Sequence, residues 1–331
     1  MLKQSVDMGN LRVSTLIAAF NVEKYIRECL ESIDSQSSAP DEVIIINDGS
    51  SDNTLKLIED WSKLTAIPAT IISQENKGIT KTRNRLLSLA NYELIAFLDS
   101  DDYWEKHHIE KMRLAFHKHP NLVCVFSDAS AFNKNGIAEK SYLSRSNLGC
   151  FRYEESGSLR LLQERITRSL IPGCFIHLNS AVFKKEDAEN IGFFDEFLPL
   201  SEDRDFFIRL SINDGLAYYT DVHSFVRQHD SNSTGSKNRL SVLEKSVSVA
   251  KKIKNSKFIL QTRLDHLEAR RVLRRSLFNY RYTASTMGIS SYIGAGALHD
   301  SWYKIVWILD IKSWLRASVA SLRPTTKKGS C

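Results

Sequence analysis

No Cys-x-x-Cys pair occurs in these 331 residues, and the five cysteines are odd in number and widely spaced. Neither a zinc ribbon nor a dithiol redox motif is indicated. Cys29 and Cys124 sit in apolar patterns and read as buried thiols. A reducing, cytosolic compartment fits this cysteine usage. GxGxxG is absent, so no dinucleotide fingerprint is present, and GxxxxGK(S/T) is absent, so a P-loop is not supported. No apolar run reaches the roughly 18 residues of a membrane span. The short run Val13 to Phe20 is followed by Asn21 and Glu23, a poor flank for a signal peptide, so none is expected. Internal repeats and low-complexity segments are also missing.

What is there is ordinary in composition and uneven in charge. Hydrophobic residues make up 42% and charged residues 25%, enough apolar material for a sizeable core. The net charge of +6 is split sharply. Residues 241–331 hold 17 Lys/Arg against 5 Asp/Glu, a balance of +12, while the first 240 hold the other 28 and 34, a balance of −6. An acidic body with a basic tail implies that the tail meets an anionic surface or partner.

The body alternates strand and helix patterns. Arg12 to Phe20 predicts a strand, and Asn21 can cap a helix carrying Val22, Tyr25, Ile26, Cys29, Leu30 and Ile33. Glu42 to Ile46 reads as a strand covered on both faces. Asn47 to Asp52 is a turn, with Ser51 or Asp52 capping a helix through Leu57, Ile58, Trp61 and Leu64. Ala69 to Ser73 is a third strand, and Gly78 opens a helix through Arg83, Asn84, Leu86 and Leu87. Leu94 to Leu98 is a buried strand ending in Asp99, Ser100, Asp101 and Asp102. A helix is expected from Glu105 to Lys118, with His107, His108, His117 and His119 on the surface, and a strand from Asn121 to Ser127. Trp104, just after the acids, packs beneath the site or flanks it. Residues 130–170 are irregular and read as an active-site loop, and Ile176 to Phe183 reads as a strand. Ser201 caps a helix starting Glu202-Asp203, and Ala217 to Val226 is a strand. This rhythm predicts an α/β fold with a doubly wound, mostly parallel sheet flanked by helices.

In such a sheet, polar clusters at the C-terminal strand ends meet in one crevice. The clusters are Phe20 to Glu23, Asp48-Gly49-Ser50, Asp99 to Asp102, and Lys77-Gly78 with Arg83-Asn84. A strand-end carboxylate can pair with a base or a ribose hydroxyl, and a helix start beside Lys and Arg favours phosphate. Two carboxylates at Asp-x-Asp spacing leave an extended segment on one side and suit a hard divalent cation. The same acids also fit a polar turn that caps the next helix. Together the clusters describe a nucleotide pocket with a metal.

These segments are recognisable. Ala19-Phe20-Asn21, Ile46 to Thr54, Glu75-Asn76-Lys77-Gly78 with Thr82-Arg83-Asn84, and Phe97 to Asp102 resemble the nucleotide-sugar half of the inverting family-2 glycosyltransferases, which have the GT-A fold. Ile191 to Glu196 and Ser201 to Leu210 look like the family's acceptor-half signature, and Arg227-Gln228-His229 with Ser231 and Ser233 resembles its closing loop. The resemblance runs from about residue 10 to residue 235. Two positions depart from the family pattern: Asn47 replaces an acid before Asp48, and Ala18 stands where Pro is common.

The resemblance implies a GT-A domain over 1–238, with a nucleotide-sugar-binding half at 10–128 and an acceptor half at 129–238, followed by a basic helical region at 239–331. Ala19, Phe20, Asn21, Glu23, Lys77, Gly78 and Arg83 would line the donor, Asp48 would pair with the base, and Asp99 with Ser100 would face the ribose or sugar. Asp101 would hold Mn²⁺ or Mg²⁺ on the diphosphate, with His229 beside it, and Asp102 is left to helix capping. Asp203 would be the catalytic base and Glu202 its support. Without the upstream motifs, Glu202 and Asp203 are equally good first-turn residues, His229 a solvated loop histidine and Arg83 a solvated helix face.

The implied reaction is transfer of a sugar from a nucleotide-sugar, UDP-linked by expectation, to a hydroxyl of a glycan or lipid-linked acceptor in surface polysaccharide synthesis. The alternatives are a nucleotidyltransferase making a nucleotide-sugar and a non-catalytic nucleotide-sugar-binding scaffold. Towards the C-terminus, Trp307, Ile308, Ile311, Trp314, Leu315, Val319 and Leu322 share a helical stripe, with Lys304, Lys312 and Arg316 off it. That pattern predicts peripheral contact with the inner membrane face from a cytoplasmic protein. Packing on the chain's own core or on a second copy in a homo-oligomer gives the same stripe. No nucleic-acid module is visible.

Overall fold

The computed structural model describes residues 11–198, 201–229, 239–256, 259–260, 262–287 and 310–321. The chain forms two compact units, Met1–Asp230 and Ser231–Cys331. In the first unit, β1 (Val13–Ala19), β2 (Glu42–Asn47), β3 (Ala69–Ser73) and β4 (Leu94–Phe97) are joined by α1 (Ile26–Asp34), α2 (Thr54–Ser62) and α3 (Ile79–Leu89). Then come β5 (Tyr103–Trp104), α4 (His108–Lys118), β6 (Cys124–Asn133), β7 (Gly136–Glu139), β8 (Tyr153–Ser156), β9 (Leu159–Leu162) and α5 (Thr167–Leu170). The unit continues through β10 (Ala181–Lys184), α6 (Lys185–Asn190), α7 (Glu202–Leu210) and β11 (Leu216–Arg227).

The sheet order is β3-β2-β1-β4-β10-β6-β11-β9-β8. The first four strands are parallel, β10 is antiparallel to both neighbours, and β6 and β11 are again parallel. Every residue of β2 is buried, as expected of a strand covered on both faces. The apolar stripe of α1 (Ile26, Cys29, Leu30, Ile33) lies in the same core as β1 and β4. One polar group in this core is fully met: Glu42 accepts from Ser14 Oγ at 2.6 Å and from the Asn91 backbone and amide, both at 2.7 Å. Strand order reverses at β1, so the crevice between β1 and β4 opens beside Ala19 and Phe97.

Several sequence expectations need correction. Asn21 does not cap α1, which begins at Ile26; instead Asn21 takes a left-handed φ of 52° and accepts from the Ser51 N–H at 2.8 Å. Neither Ser51 nor Asp52 is the cap residue of α2, which is Asn53, although Asp52 accepts from the Thr54 N–H at 3.0 Å. The helix expected from Glu105 starts at His108, because Tyr103 and Trp104 pair with β11. Residues 176–183 begin with a 3₁₀ turn, Leu178–Ser180, before β10. Much of the 130–170 stretch is strand: β6 runs on to Asn133, β7 folds back on it, and β8 and β9 form a hairpin. Alternation in these short segments is interrupted by loop glycines, which hides them in the sequence.

In the second unit α8 (Arg239–Asn255), α9 (Arg263–Met287) and α10 (Ile311–Ser321) are helical. Val247, Ala250 and Ile253 from α8, Leu273, Leu277 and Tyr280 from α9, and Ala317 from α10 are buried. Arg281 pairs with Asp310 at 3.1 Å. Trp307, Ile308 and Leu322 of the proposed stripe lie outside the described residues. No helix of the described residues is long and apolar enough to cross a membrane.

His108 is not on the surface, as the sequence suggested; it is fully buried and stacks on Trp104 at 4.7 Å. Among the described residues neither of its ring nitrogens has a partner. Burial, and then His223, push its pKa well below the usual histidine value. His223 itself faces Lys111 at 3.1 Å and Glu105 at 3.4 Å. The folded state therefore keeps His108 neutral where the unfolded chain, with a pKa of about 6.5, takes up a proton. Stability should fall as pH drops below that value, by on the order of 1 kcal/mol per unit for one such group. Urea unfolding of wild type and His108→Phe at pH 7.5 and 5.5 checks this: the variant should lose less stability between the two.

Candidate active site

The site is built on the C-terminal ends of β1, β2 and β4, which lie in register at one edge (Ala19 opposite Asn47, Leu16 opposite Phe97). Phe20 follows β1 and is half exposed at 48%. Glu23 ties two loops: its N–H donates to Asp52 at 3.2 Å and its carboxylate accepts from the Asn53 backbone and amide at 3.0 Å. Gly49 has φ 79°, and a Cβ there would stand 2.8 Å from the Asn76 backbone nitrogen. Only glycine allows that close approach.

Asp48 is buried at 4% exposure. One oxygen accepts from Gln74 Nε2 at 2.6 Å and the Lys77 N–H at 2.9 Å, and the other from the Gly78 N–H at 3.0 Å. This carboxylate thus fixes the 74–78 loop and the start of α3. Lys77 and Gly78 themselves are exposed.

Arg83 is the centre of the site. It is 7% exposed; Nη2 donates to Asp99 Oδ1 at 2.6 Å and Nη1 to Glu202 Oε1 at 2.5 Å. Burial opposes its charge, but Asp99 and Glu202 outweigh burial and hold its pKa above normal. Burial likewise raises the Glu202 pKa, against the pull of Arg83. One guanidinium therefore joins the end of β4 to the start of α7. The next residue, Asn84, donates to the Phe194 carbonyl at 2.9 Å and accepts from the Phe194 N–H at 3.0 Å. Arg209 donates to the Ile191 and Phe193 carbonyls at 2.5 and 2.6 Å and pairs with Asp205 at 2.8 Å. The Gly-Phe-Phe-Asp-Glu turn and the α7 acids are locked from both sides.

Asp203 stands in the first turn of α7, half-buried, after Ser201 at a left-handed φ of 69°. Its carboxylate accepts from the Arg204 N–H at 2.7 Å. Ser100 is buried at 6%. Asp101 Oδ2 lies 2.9 Å from His229 Nε2, whose ring stacks on Tyr25 at 4.6 Å. Burial, and then Asp99, raise the Asp101 pKa, while His229 lowers it. The expectation that Asp102 caps the next helix is not met. Asp102 is buried, accepting from Asn179 Nδ2 and from the Arg227 N–H at 2.7 Å. Burial, then Asp101 and Asp99, push its pKa well up. Its role is to tie the acidic strand end to β11 and the turn before β10.

The residues fit a divalent cation only in part. Among the described residues no group of three or more His, Cys, Asp or Glu side chains could hold a metal. Asp101 and His229 offer two converging donors at 2.9 Å. Mg²⁺ bound to nucleotides takes one or two carboxylates, with substrate phosphates and waters completing the shell, so two donors suffice.

Sequence reasoning missed Asn179 and His177. Asn179 Oδ1 accepts from the Asp99 N–H at 3.0 Å. His177, two residues before it, is half-buried, and its electrostatic neighbours are Asp99, Asp203, Arg83 and Asp101. His177 and the 3₁₀ turn that follows it, Leu178–Ser180, have no periodic signature.

Comparison with known proteins gives the family. The model for Glycosyl transferase family 2 matches residues 14–185, more than half of the chain. The chain belongs to that family. It is 39% identical over 135 residues to EpsH of Bacillus subtilis (strain 168), described as a glycosyltransferase, covering 40% of this chain and 38% of EpsH. It is 33% identical over 139 residues to chondroitin synthase of Escherichia coli, covering 40% of this chain and 20% of that one. The chain thus matches well under half the length of these relatives. Among solved structures, Staphylococcus aureus TarS 1-349 in complex with UDP-GlcNAc superposes with TM-score 0.61 at 20% identity, over 87% of this chain and 80% of TarS. Mannosyltransferase PcManGT of Pyrobaculum calidifontis, in complex with GDP-Man and Mn²⁺, gives TM-score 0.53 at 17% identity, over 94% and 88%. The fold is GT-A with a helical C-terminal region.

Removing the Arg83 guanidinium would leave Glu202 and Asp99 facing each other without a cation. Arg83→Met should cost about 3 kcal/mol, and Arg83→Lys should recover only part of it, because an ammonium cannot fork to both partners. Urea unfolding followed by tryptophan fluorescence measures both.

Proposed function

We propose that the chain is a metal-assisted inverting glycosyltransferase. It moves a sugar from a UDP-linked donor to a hydroxyl of a glycan or lipid-linked acceptor in cell-surface polysaccharide synthesis. The observation that carries this reading is the Arg83 bridge from Asp99 to Glu202, because it sets a donor-side carboxylate and Asp203 around one crevice. Family membership, and relatives named for glycan synthesis, favour transfer to a glycan over nucleotidyl transfer or a non-catalytic scaffold. TarS, crystallised with UDP and with UDP-GlcNAc, supports a uridine donor.

Each residue then has a task. Phe20, Asn21 and Glu23 border the base and ribose. Asp48 shapes the 74–78 loop for the base and directs the Lys77 and Gly78 amides. Asp99 and Ser100 face the ribose or the sugar. Asp101 and His229 would hold Mn²⁺ or Mg²⁺, which when bound offsets the charge that develops on the leaving diphosphate. The acceptor hydroxyl is a poor nucleophile at neutral pH, and Asp203 takes its proton as attack proceeds. Glu202 is neutralised by Arg83 and holds the helix start rather than competing as a base. A single displacement through an oxocarbenium-like state inverts the anomeric carbon and needs only one base.

We place the catalytic domain at 1–238, with donor and acceptor halves at 10–128 and 129–238, and a basic helical region at 239–331. That region supplies contact with an anionic membrane face, supported by its charge and by Leu315, which is 62% exposed on α10.

Asp203→Asn should lower turnover by about 10²–10⁴-fold, the range for loss of a general base. Its affinity for the donor should stay within about twofold. Turnover assays paired with calorimetric donor titration decide this; unchanged turnover removes Asp203 from the base role.

A further inference from the structure

The reading above leaves one group at the site without a task. His177 lies in the segment that leads into β10, with Asp99 and Asp203 among its electrostatic neighbours. Its carbonyl is used twice, accepting from the Ser180 N–H at 3.0 Å and from Ser180 Oγ at 2.8 Å. Its ring is not used in this way. Nδ1 is shut off from solvent and, among the described residues, has no partner. The residue as a whole is only half-buried, unlike its Nδ1.

The state of the ring follows from electrostatics. Burial lowers its pKa, opposed by Asp99 and Asp203 and reinforced by Arg83, with the net shift downward. A neutral imidazole carries one N–H. Placing it on Nδ1 would bury an unmet donor at a cost of about 1–3 kcal/mol. Placing it on Nε2 leaves the donor on the wetter side of the ring. His177 therefore presents an N–H to the space beside Asp99 and Asp203.

A second element frames that space. Tyr142 packs on the His177 ring with centroids 5.5 Å apart and planes tilted by 57°. Tyr142 belongs to the segment after β7, and that segment is pinned. Asp128, 4% exposed, accepts from Ser141 Oγ and from the Leu143 N–H at 2.9 Å, and the Tyr142 N–H donates to the Ala129 carbonyl at 2.9 Å. The aromatic wall and the imidazole donor are thus held by two separate elements, β6 and the turn before β10. An aromatic face beside a neutral N–H and carboxylates matches a sugar ring, which offers C–H faces and hydroxyls together.

We propose that His177, backed by Tyr142, binds a hydroxyl or amide oxygen of the sugar being transferred and so helps to select the donor. The donor side is chosen over the acceptor side because the segment that carries His177 is tied to Asp99, the donor-side carboxylate, through the Asp99 N–H that Asn179 Oδ1 accepts at 3.0 Å. The inference rests on the nucleotide-sugar reading of the crevice. His177 is a positioning and specificity residue, not a base.

The test is calorimetric titration of UDP and of UDP-N-acetylglucosamine, with Mn²⁺, into wild type, His177→Phe and His177→Gln. His177→Phe keeps a ring against Tyr142 and removes the N–H; His177→Gln keeps a donor. His177→Phe should bind UDP within about twofold of wild type but UDP-N-acetylglucosamine about five- to tenfold more weakly, the loss expected for one hydrogen bond. His177→Gln should recover most of that loss. Equal affinity of His177→Phe and wild type for the sugar nucleotide would overturn the assignment. So would a parallel loss of UDP and UDP-N-acetylglucosamine, since that marks a purely structural role. Failure of the wild type to bind UDP would instead bring down the uridine-donor reading, and this subsite with it.

Discussion

A single buried guanidinium holds this site together. Arg83 is placed by α3, yet its two hydrogen bonds go to β4 and to α7, which lie 16 and 119 residues away in sequence. Without it, two carboxylates would approach each other in a poorly solvated place. Buried ion pairs seldom add much net stability, because desolvation cancels most of the attraction. Their effect is geometric: only one arrangement satisfies all three groups. In this protein that arrangement sets Asp203 at the start of a helix facing the acidic end of β4.

The neighbouring polar residues repeat the same device. Asp48 is consumed in ordering the 74–78 loop, Asn84 in fastening the Phe194 turn, and Asp102 in joining β4 to β11 through Arg227. Residues that look like ligands in the sequence therefore divide into two kinds. Asp48, Arg83, Glu202 and Asp102 are already tied to protein partners. Asp203 and the Asp101–His229 pair stand at the margin of the crevice, and among the described residues His177 Nδ1 has no such partner. The first kind preorganises the second, and preorganisation is where much of an enzyme's rate enhancement originates.

The parallel half of the sheet was legible because long apolar runs alternate with helical stripes from Val13 to Phe97. The acidic strand end was legible too, since three carboxylates cannot follow a buried strand unless water, a ligand or polar protein groups meet them. Less could be read where partners come from distant segments. Asp102 looked like a cap because its neighbours in sequence are a helix start, whereas its partners are Asn179 and Arg227. His108 looked exposed because four histidines cluster around a charged helix, yet Trp104 and His223 enclose it. His177 carries no motif at all; only folding brings it beside Asp99. Local pattern reports burial period and turn chemistry, and it is silent on contacts made across eighty residues.

The proposed reaction requires this crevice to bind a nucleotide-sugar with the help of a cation. The most direct measurement is thermal unfolding of the full chain across a panel of nucleotide-sugars, with Mn²⁺, with Mg²⁺ and with a chelator. A ligand that binds only the folded state raises its stability by mass action, by about 2.7 kcal/mol at a hundredfold excess over Kd. A UDP-sugar should raise the melting temperature, and the rise should shrink when the cation is removed. No rise with any UDP-sugar under either cation would contradict it.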